Sequence, residues 1–315
     1  MRIVQGIRQL EQPLSSSVLT IGNFDGVHLG HVELLNRVVS RARASGVPSV
    51  VMTFEPHPMK VLQPDRKLPR IFDFEDQREQ MQKLGIDLLV VEPFSREFSQ
   101  VPPDRFIGEW VYRALSPRAV VVGYDFSFGA NRGGSIDFLR EKAKTLGFEL
   151  EVIPPVKIKD AVSAQEVLVS STRVRQAIEA GDVRLAISLL GRSFYLSGLV
   201  EKGAGRGRTI GIPTANLRTT AELIPGRGVY AAWATVEGTR HKAVVNVGLN
   251  PTFVASAQTL SVEAHILDFS QDIYGETLRL DFVERLRDET KFSSIDALVK
   301  QIHLDILHGS QVLGG

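Results

Sequence analysis

A chain of 315 residues exceeds what one hydrophobic core usually organises, so two domains are expected. Apolar residues make up 43% and charged residues 23%, and the formal net charge of +1 excludes any bulk electrostatic pull toward nucleic acid or an anionic membrane. There is no cysteine, which rules out disulfides, thiolate metal sites and a cysteine nucleophile. The opening MRIVQGIRQL lacks the apolar run of a signal peptide, and no stretch approaches the roughly 20 apolar residues that cross a bilayer. A cytoplasmic protein is expected, with neither nucleic acid nor membrane as partner, and no segment specifies an oligomeric state.

Strand and helix patterns alternate through the first half. SVLTIG reads as a buried strand. A helix follows from about Leu29, with Leu35, Val38, Val39 and Ala42 at helical spacing and Gly46 as its stop. VPSVVMTF, a helix from about Glu75 to Leu84 ended by Gly85, DLLVVEPF, a helix near Asp104–Leu115, AVVVGYDF, a helix near Ile136–Leu146 and ELEVIPP continue the series. Continuous apolar strands separated by helices predict a parallel sheet covered on both faces, a Rossmann-like α/β domain. Two short helices come next, in STRVRQAIEAG and DVRLAISLLG. The pattern then changes to strand-like FYLSGLV, VYAAWATV, HKAVVNVG, LSVEAHILDF and LRLDFVERL, with a turn at Glu237–Gly238 and a last amphipathic helix around Ile295–Leu307. That is the pattern of a small antiparallel barrel closed by a helix. The boundary is expected near residue 187, giving domains 1–187 and 188–315.

Chemistry concentrates in GNFDGVHLGH, residues 22–31, where the first strand ends. Gly22, Gly26 and Gly30 let the backbone turn and approach a ligand closely. His28 and His31, three apart at a helix start, can share one face beside free N–H groups and the positive dipole end, which attract phosphate. For HxxH alone, satisfied histidines, or a metal pair with His57 of TFEPHP as third ligand, are the better readings. The flanking glycines and the place after the first strand shift the balance to phosphate. No GxxxxGK[ST] occurs and no GxGxxG follows the first strand, so a dinucleotide-binding dehydrogenase is not expected.

A second concentration is GRTIGIPTANL, residues 207–217. Gly207 and Arg208 open it as candidate phosphate contacts. Thr214 offers a hydroxyl and Asn216 a carbonyl oxygen, hard ligands suited to Mg²⁺ on nucleotide phosphates. A Pro-Thr-Ala-Asn turn alone would explain the same residues. In SVEAHILDF, alternation sets Val262, Ala264 and Ile266 on one face and Glu263, His265, Leu267 and Phe269 on the other. Glu263 is thereby a candidate general base in a partly apolar setting, with a barrel-rim glutamate as the alternative.

HLGH resembles the HxGH signature of the nucleotidyltransferases. The strings GNFDGVHLGH, TFEPHP, GYDFSFG and SSTRVR, in order across residues 20–175, resemble the FAD synthetase module of bacterial bifunctional riboflavin kinase/FAD synthetases. IGIPTANL, NVGLNPTF, VEAHILDF, DIYGETLRL and RLRDETKF resemble its riboflavin kinase module, again in order. The resemblance implies an enzyme that phosphorylates riboflavin to FMN and adenylylates FMN to FAD, using ATP and Mg²⁺. It implies that Gly22, Asn23, Phe24 and Gly30 line the nucleotide site, that His28 and His31 contact the ATP phosphates, and that His57 and Asp125 lie at the catalytic pocket. Ser170, Ser171, Thr172 and Arg175 would form a second phosphate motif, although a helix N-cap would explain that string equally simply. Phe126 and Phe128 are candidates to stack on the flavin ring, although aromatics in an α/β loop are more often just core. In the kinase module Thr214 and Asn216 would hold Mg-ATP, Glu263 would be the base, and Arg287 with Asp288 would close over flavin. Asn246 to Phe253 would form a neighbouring loop, in which Asn250 stands where many members carry arginine. The competing function is a flavin- or nucleotide-binding regulator or carrier with one or both modules inactive, against which the intact Thr214, Asn216, Glu263, His28 and His31 argue.

Overall fold

Runs such as SVLTI and LLVVEP carry no polar alternation because both faces of their sheet are covered. In the computed structural model, which describes residues 1–160, 164–203, 207, 210–249 and 260–314, they form part of the first of two units, Met1–Lys157; the second is Ile158–Gly315. The first unit holds six parallel strands: β1 (Arg2–Gln5), β2 (Ser17–Ile21), β3 (Ser49–Glu55), β4 (Leu88–Pro93), β5 (Pro117–Gly123) and β6 (Glu149–Ile153). Their spatial order is β1-β4-β3-β2-β5-β6. Alternate strand residues feed two cores. Leu19, Ile21, Met52, Val90 and Val122 pack with Phe106 and Leu139 on one face. Val18, Val51, Leu89 and Val121 pack with Leu35, Val38 and Met81 on the other.

The helices between them largely follow the expected spans. Helix α1 (Leu29–Ser45) ends at Gly46 with φ 64°, after short turns come α2 (Pro58–Leu62) and α3 (Phe74–Lys83), and α4 (Arg96–Ser99) is a single turn. The segment expected as an α-helix from Asp104 to Leu115 is different. It is π-helical over Arg105–Tyr112 and continues as a short α5 (Arg113–Leu115). The wider turn sets Phe106 and Val111, five apart, on one buried face with Ile107. Helix α6 (Ile136–Leu146) matches its expected span.

After a ribbon of β7 (Lys157–Lys159) and β8 (Glu166–Leu168), the second unit contains α7 (Ser171–Glu179) and α8 (Val183–Leu190), an α-hairpin whose second helix packs on the barrel. Strands β9 (Tyr195–Glu201), β10 (Ala215–Arg218), β11 (Gly228–Val236), β12 (Thr239–Leu249), β13 (Leu260–Ile266) and β14 (Thr277–Arg287) close in the order β10-β13-β12-β11-β14-β9, with antiparallel neighbours. The expected turn at Glu237–Gly238 joins β11 to β12 with φ 46° and 78°, the left-handed pair that a tight hairpin needs. Helix α9 (Ile295–Val312) runs a turn beyond its expected end and lies against β11, β12 and β14. It is tied down by Asp305, which is buried and takes a forked pair of bonds from Arg287 at 2.7 and 2.9 Å.

Candidate active sites

In the α/β unit, strand order reverses at β2: β3 and β4 lie on one side, β5 and β6 on the other. Parallel α/β sheets bind ligands at the carboxyl ends of the strands beside such a switch. Three of the expected site residues leave that edge from adjacent strands: His28 after β2, His57 after β3 and Asp125 after β5.

The β2–α1 loop is tightly made. Phe24 and Val27 have φ of 52° and 37°, conformations unfavourable for side-chain-bearing residues, most of all for β-branched valine. A side chain at Gly26 would put its Cβ 2.7 Å from Ile71. Buried Asp25 accepts the Ile71 N–H at 3.2 Å, and Gln77 of α3 donates its side-chain amide to the Asn23 carbonyl at 3.0 Å. Neither Asp25 nor Gln77 stood out in the sequence; their partners are 46 and 54 residues away.

His28 is the N-cap of α1. Its Nδ1 accepts the His31 N–H at 3.3 Å, which leaves the ring proton of the neutral form on Nε2. His57 caps α2 in the same way, with Nδ1 accepting the Met59 N–H at 3.2 Å. Both buried imidazoles are thus held as Nε2 donors. The His28 and His31 rings stack 3.7 Å apart, and Phe24 meets His31 edge-on at 5.2 Å. His31 keeps partial exposure, but its Nδ1 is buried and unpartnered among the described residues. Burial, then the neighbouring His28, hold its pKa well below 6.5. Gly22 and Gly30 are half-buried and Asn23 is exposed along the same loop.

Asp125 and Tyr124 are exposed on the loop after β5. Phe126 and Phe128 stack at 5.4 Å, but Phe128 is buried against Phe106 and Phe138, so only half-buried Phe126 offers ring surface. The SSTRVR segment opens α7 in the second unit. Ser170 is its N-cap, accepting the Arg173 N–H at 3.2 Å; Ser171 is half-buried, Thr172 exposed and Arg175 buried.

In the barrel, the expected Pro-Thr-Ala-Asn turn is not a turn beyond Thr214. Ala215 starts β10, and Asn216 pairs with Glu201 of β9 and with Glu263 of β13. Glu263 in turn pairs with Asn246 of β12. Paired residues of antiparallel strands project to the same side. Asn216, Glu263 and Asn246 therefore form one half-exposed row, opposite buried Val262, Ala264 and Ile266. Asn246 was expected in a loop and is in a strand; Asn250–Phe253 and Arg208 lie outside the described residues.

Thr214 stands immediately before the row and is braced by His265, whose Nδ1 donates to the Pro213 carbonyl at 2.8 Å. The Gly207 carbonyl accepts the N–H groups of Ile210 and Ile212, folding the glycine-rich segment back toward Thr214. Gly203 approaches Asn216 so closely that a Cβ would lie 2.2 Å from its amide nitrogen. Arg287, expected over flavin, has a structural occupation: beyond Asp305 it bonds the Asp288 carbonyl at 2.8 Å and the Thr290 hydroxyl at 3.2 Å.

No cluster of three or more His, Cys, Asp or Glu among the described residues could cage a metal, including His28, His31 and His57. The oxygen donors of Thr214 and Asn216 fit instead a Mg²⁺ that arrives with nucleotide phosphates and needs few protein ligands.

A phosphate-attracting helix start at the switch point of a parallel sheet, together with a barrel bearing a carboxylate between two amides, defines an ATP-using transferase of two modules. Family comparison also finds two modules: residues 10–173, which extend past the first structural unit to the start of α7, match the FAD synthetase family, and residues 190–313 the riboflavin kinase family. The bifunctional riboflavin kinase/FMN adenylyltransferase of Bacillus subtilis is 35% identical over 94% of this chain and 92% of its own. That of Escherichia coli K12 is 35% identical over 100% and 98%. A solved structure from Streptococcus pneumoniae, described as a macrolide-efflux protein, shares 33% identity and 97% of both chains at a TM-score of 0.86. In the present chain no described helix is long and apolar enough to cross a membrane. The chain belongs to the bifunctional riboflavin kinase/FMN adenylyltransferase family. It converts riboflavin to FMN and FMN to FAD with ATP as co-substrate.

Proposed function

We propose that FMN adenylylation is carried by the β2–α1 loop with His28 and His31, and riboflavin phosphorylation by the row Asn216–Glu263 with Thr214. The observation that carries this reading is the strand register, which sets Glu263 directly beside Asn216 although 47 residues separate them.

For adenylylation, an oxygen of the FMN phosphate attacks the α-phosphorus of ATP, and the bond to the β-phosphate bridging oxygen breaks to release pyrophosphate. The nucleophile is already an anion, so the site needs donors and no base. His28 and His31 contact the ATP phosphates, His28 through an Nε2–H donor, and His57 brings a further Nε2–H donor to the pocket; Gly22, Asn23, Phe24 and Gly30 give the nucleotide a close backbone wall. Ser171, Thr172 and Arg175 add further phosphate contacts, Ser170 fixes their helix start, Asp125 lies at the pocket edge, and Phe126 offers a flavin stacking face.

For phosphorylation, the riboflavin hydroxyl is a weak acid: Glu263 takes its proton as the oxygen attacks the γ-phosphorus, and the bond to the β–γ bridging oxygen breaks to release ADP. The Thr214 hydroxyl and the Asn216 carbonyl oxygen would hold a Mg²⁺ arriving with ATP, which would supply neutralisation of phosphate charge. Gly207 and Arg208 belong to the same phosphate-binding segment. We place the change of activity near residue 187, within the gap between the two family matches, and the working compartment in the cytoplasm.

The test is Glu263→Gln, which keeps size and removes proton acceptance. Riboflavin phosphorylation should fall by about 10²–10⁴ with a smaller change in KM, while supplied FMN is still converted to FAD. Near-normal phosphorylation would leave the reaction without this base.

A further inference from the structure

Two polar side chains buried in the α/β unit have no part in the chemistry assigned above: Thr53 of β3 and Gln77 of α3. Buried polar groups persist where they are satisfied, and these two converge on one backbone atom. Gln77 donates its side-chain amide to the Asn23 carbonyl at 3.0 Å and to the Thr53 hydroxyl at 3.3 Å. The Thr53 hydroxyl donates to the same carbonyl at 3.4 Å. A carbonyl only accepts, so Gln77 faces it with its amide nitrogen and not its oxygen.

The carbonyl they hold belongs to the Asn23–Phe24 peptide, and in a planar trans peptide the N–H points opposite to the C=O. With the carbonyl turned in to Thr53 and Gln77, the Phe24 N–H is turned away from them, and no described residue accepts it. The rest of Phe24 is fixed by other contacts. Its carbonyl accepts the Val27 N–H at 3.0 Å, its ring stands 3.0 Å from where a Cβ on Gly22 would lie, and it meets His31 edge-on. Its left-handed φ of 52° is unfavourable for phenylalanine. A half turn of the Asn23–Phe24 peptide would bring that φ to about −130°, an ordinary extended value. It would also reverse the peptide, turning the N–H inward and presenting the carbonyl oxygen in its place. A phosphate is attracted by a backbone N–H and repelled by a carbonyl oxygen, so the strained orientation is the useful one.

We propose that Gln77 and Thr53 are positioning residues for FMN adenylylation: they hold the Asn23–Phe24 peptide against its relaxed orientation, so that the Phe24 N–H is offered to the nucleotide phosphates. This rests on the assignment of the β2–α1 loop to adenylylation. Every residue of the device lies in the first unit, whereas the kinase row of Asn216, Glu263 and Asn246 lies in the second.

The experiment measures both activities in the full chain for Gln77→Glu, Thr53→Val and Thr53→Ser. Gln77→Glu keeps the shape but puts a carboxylate where the donor was, which repels the Asn23 carbonyl and accepts the reversed N–H. It should lower kcat for FMN adenylylation about 10- to 100-fold, with KM for FMN less affected, and leave kcat and KM of riboflavin phosphorylation within about two-fold. Thr53→Val should show the same split at about 3- to 10-fold, and Thr53→Ser, which keeps the hydroxyl, should stay within about two-fold of the parent. A parallel fall of both activities, or unchanged adenylylation in both Gln77→Glu and Thr53→Val, overturns the proposal. If Gln77→Glu fails to fold, the two threonine variants decide alone by the presence or absence of the split and its rescue by serine. Nuclear magnetic resonance of isotopically labelled phenylalanine amides separates the two ways of failing. The Phe24 amide, assigned through Phe24→Tyr, should shift when α,β-methylene-ATP and Mg²⁺ are added to the parent and lose that response in Gln77→Glu. An amide that stays unmoved in the parent means that the assignment of the loop is wrong. An amide that responds equally in both proteins leaves the assignment standing and removes the positioning role.

Discussion

In the α/β unit the candidate site is made from the ends of elements, whereas in the barrel it is made from the middles of strands. The contrast is what the proposed assignment of the two reactions would require. FMN presents a phosphate that is already charged, so a loop of backbone N–H groups and neutral imidazole donors at helix starts suffices. Riboflavin presents an alcohol, which needs a carboxylate held in one place. A strand pair provides that, because register fixes Glu263 against Asn216 on one side and Asn246 on the other. The loop site carries its own strain, at Phe24 and Val27, and is pinned from outside by Gln77 and Asp25. The strand site is held by the ladder itself.

The largest effect that could break this comparison is expected at His28. Replacing it with asparagine keeps an oxygen acceptor for the helix cap while removing the imidazole donor. FMN adenylylation should fall by about 10²–10³ with riboflavin phosphorylation and thermal stability nearly unchanged. Normal flavin adenylylation in that variant would show that the loop works through its backbone alone.

Next in size is Asp305→Ala. It strips Arg287 of its partner on α9 and should cost about 3 kcal/mol in chemical denaturation of the barrel unit, the scale for breaking a largely buried pair. If Arg287 were chiefly a flavin contact, the same variant would instead raise KM for riboflavin with little loss of stability.

The smallest effect concerns pH and only the loop site. His31 has a folded-state pKa depressed by burial and by His28, so below 6.5 the unfolded chain takes up a proton that the folded chain refuses. Stability should therefore fall as pH drops from 6.5 toward the folded value, by at most about 1.4 kcal/mol per pH unit. His31→Gln should flatten that part of the profile, measured by denaturant titration at several pH values. An unchanged slope would mean that His31 titrates normally.

Much of this architecture was legible because its causes are local. Apolar runs and helical spacing are written in consecutive residues, and Gly46, Gly85, Glu237 and Gly238 mark their ends by conformations few residues tolerate. The alternation in SVEAHILDF correctly set Glu263 opposite Val262 and Ala264. Other features were hidden because their partners are remote. PTAN reads as a turn in isolation and becomes the start of a strand only because β9 and β13 flank it. The π-helical Arg105–Tyr112 obeys a buried face that helical spacing alone does not announce.

What the sequence determined by itself is the chemistry available at each place: imidazoles at a glycine-rich helix start, hard oxygens in a glycine-rich segment, a carboxylate on the half-exposed side of a strand. Tertiary structure decided what each of these residues meets and which of them hold the fold. It engaged Arg287 with Asp305, turned Phe128 into the core, and brought Asn246 into line with Glu263. Those outcomes depend on pairings between segments far apart in the chain. Periodicity records which way a side chain faces, but only the closed barrel and the completed sheet record what it faces.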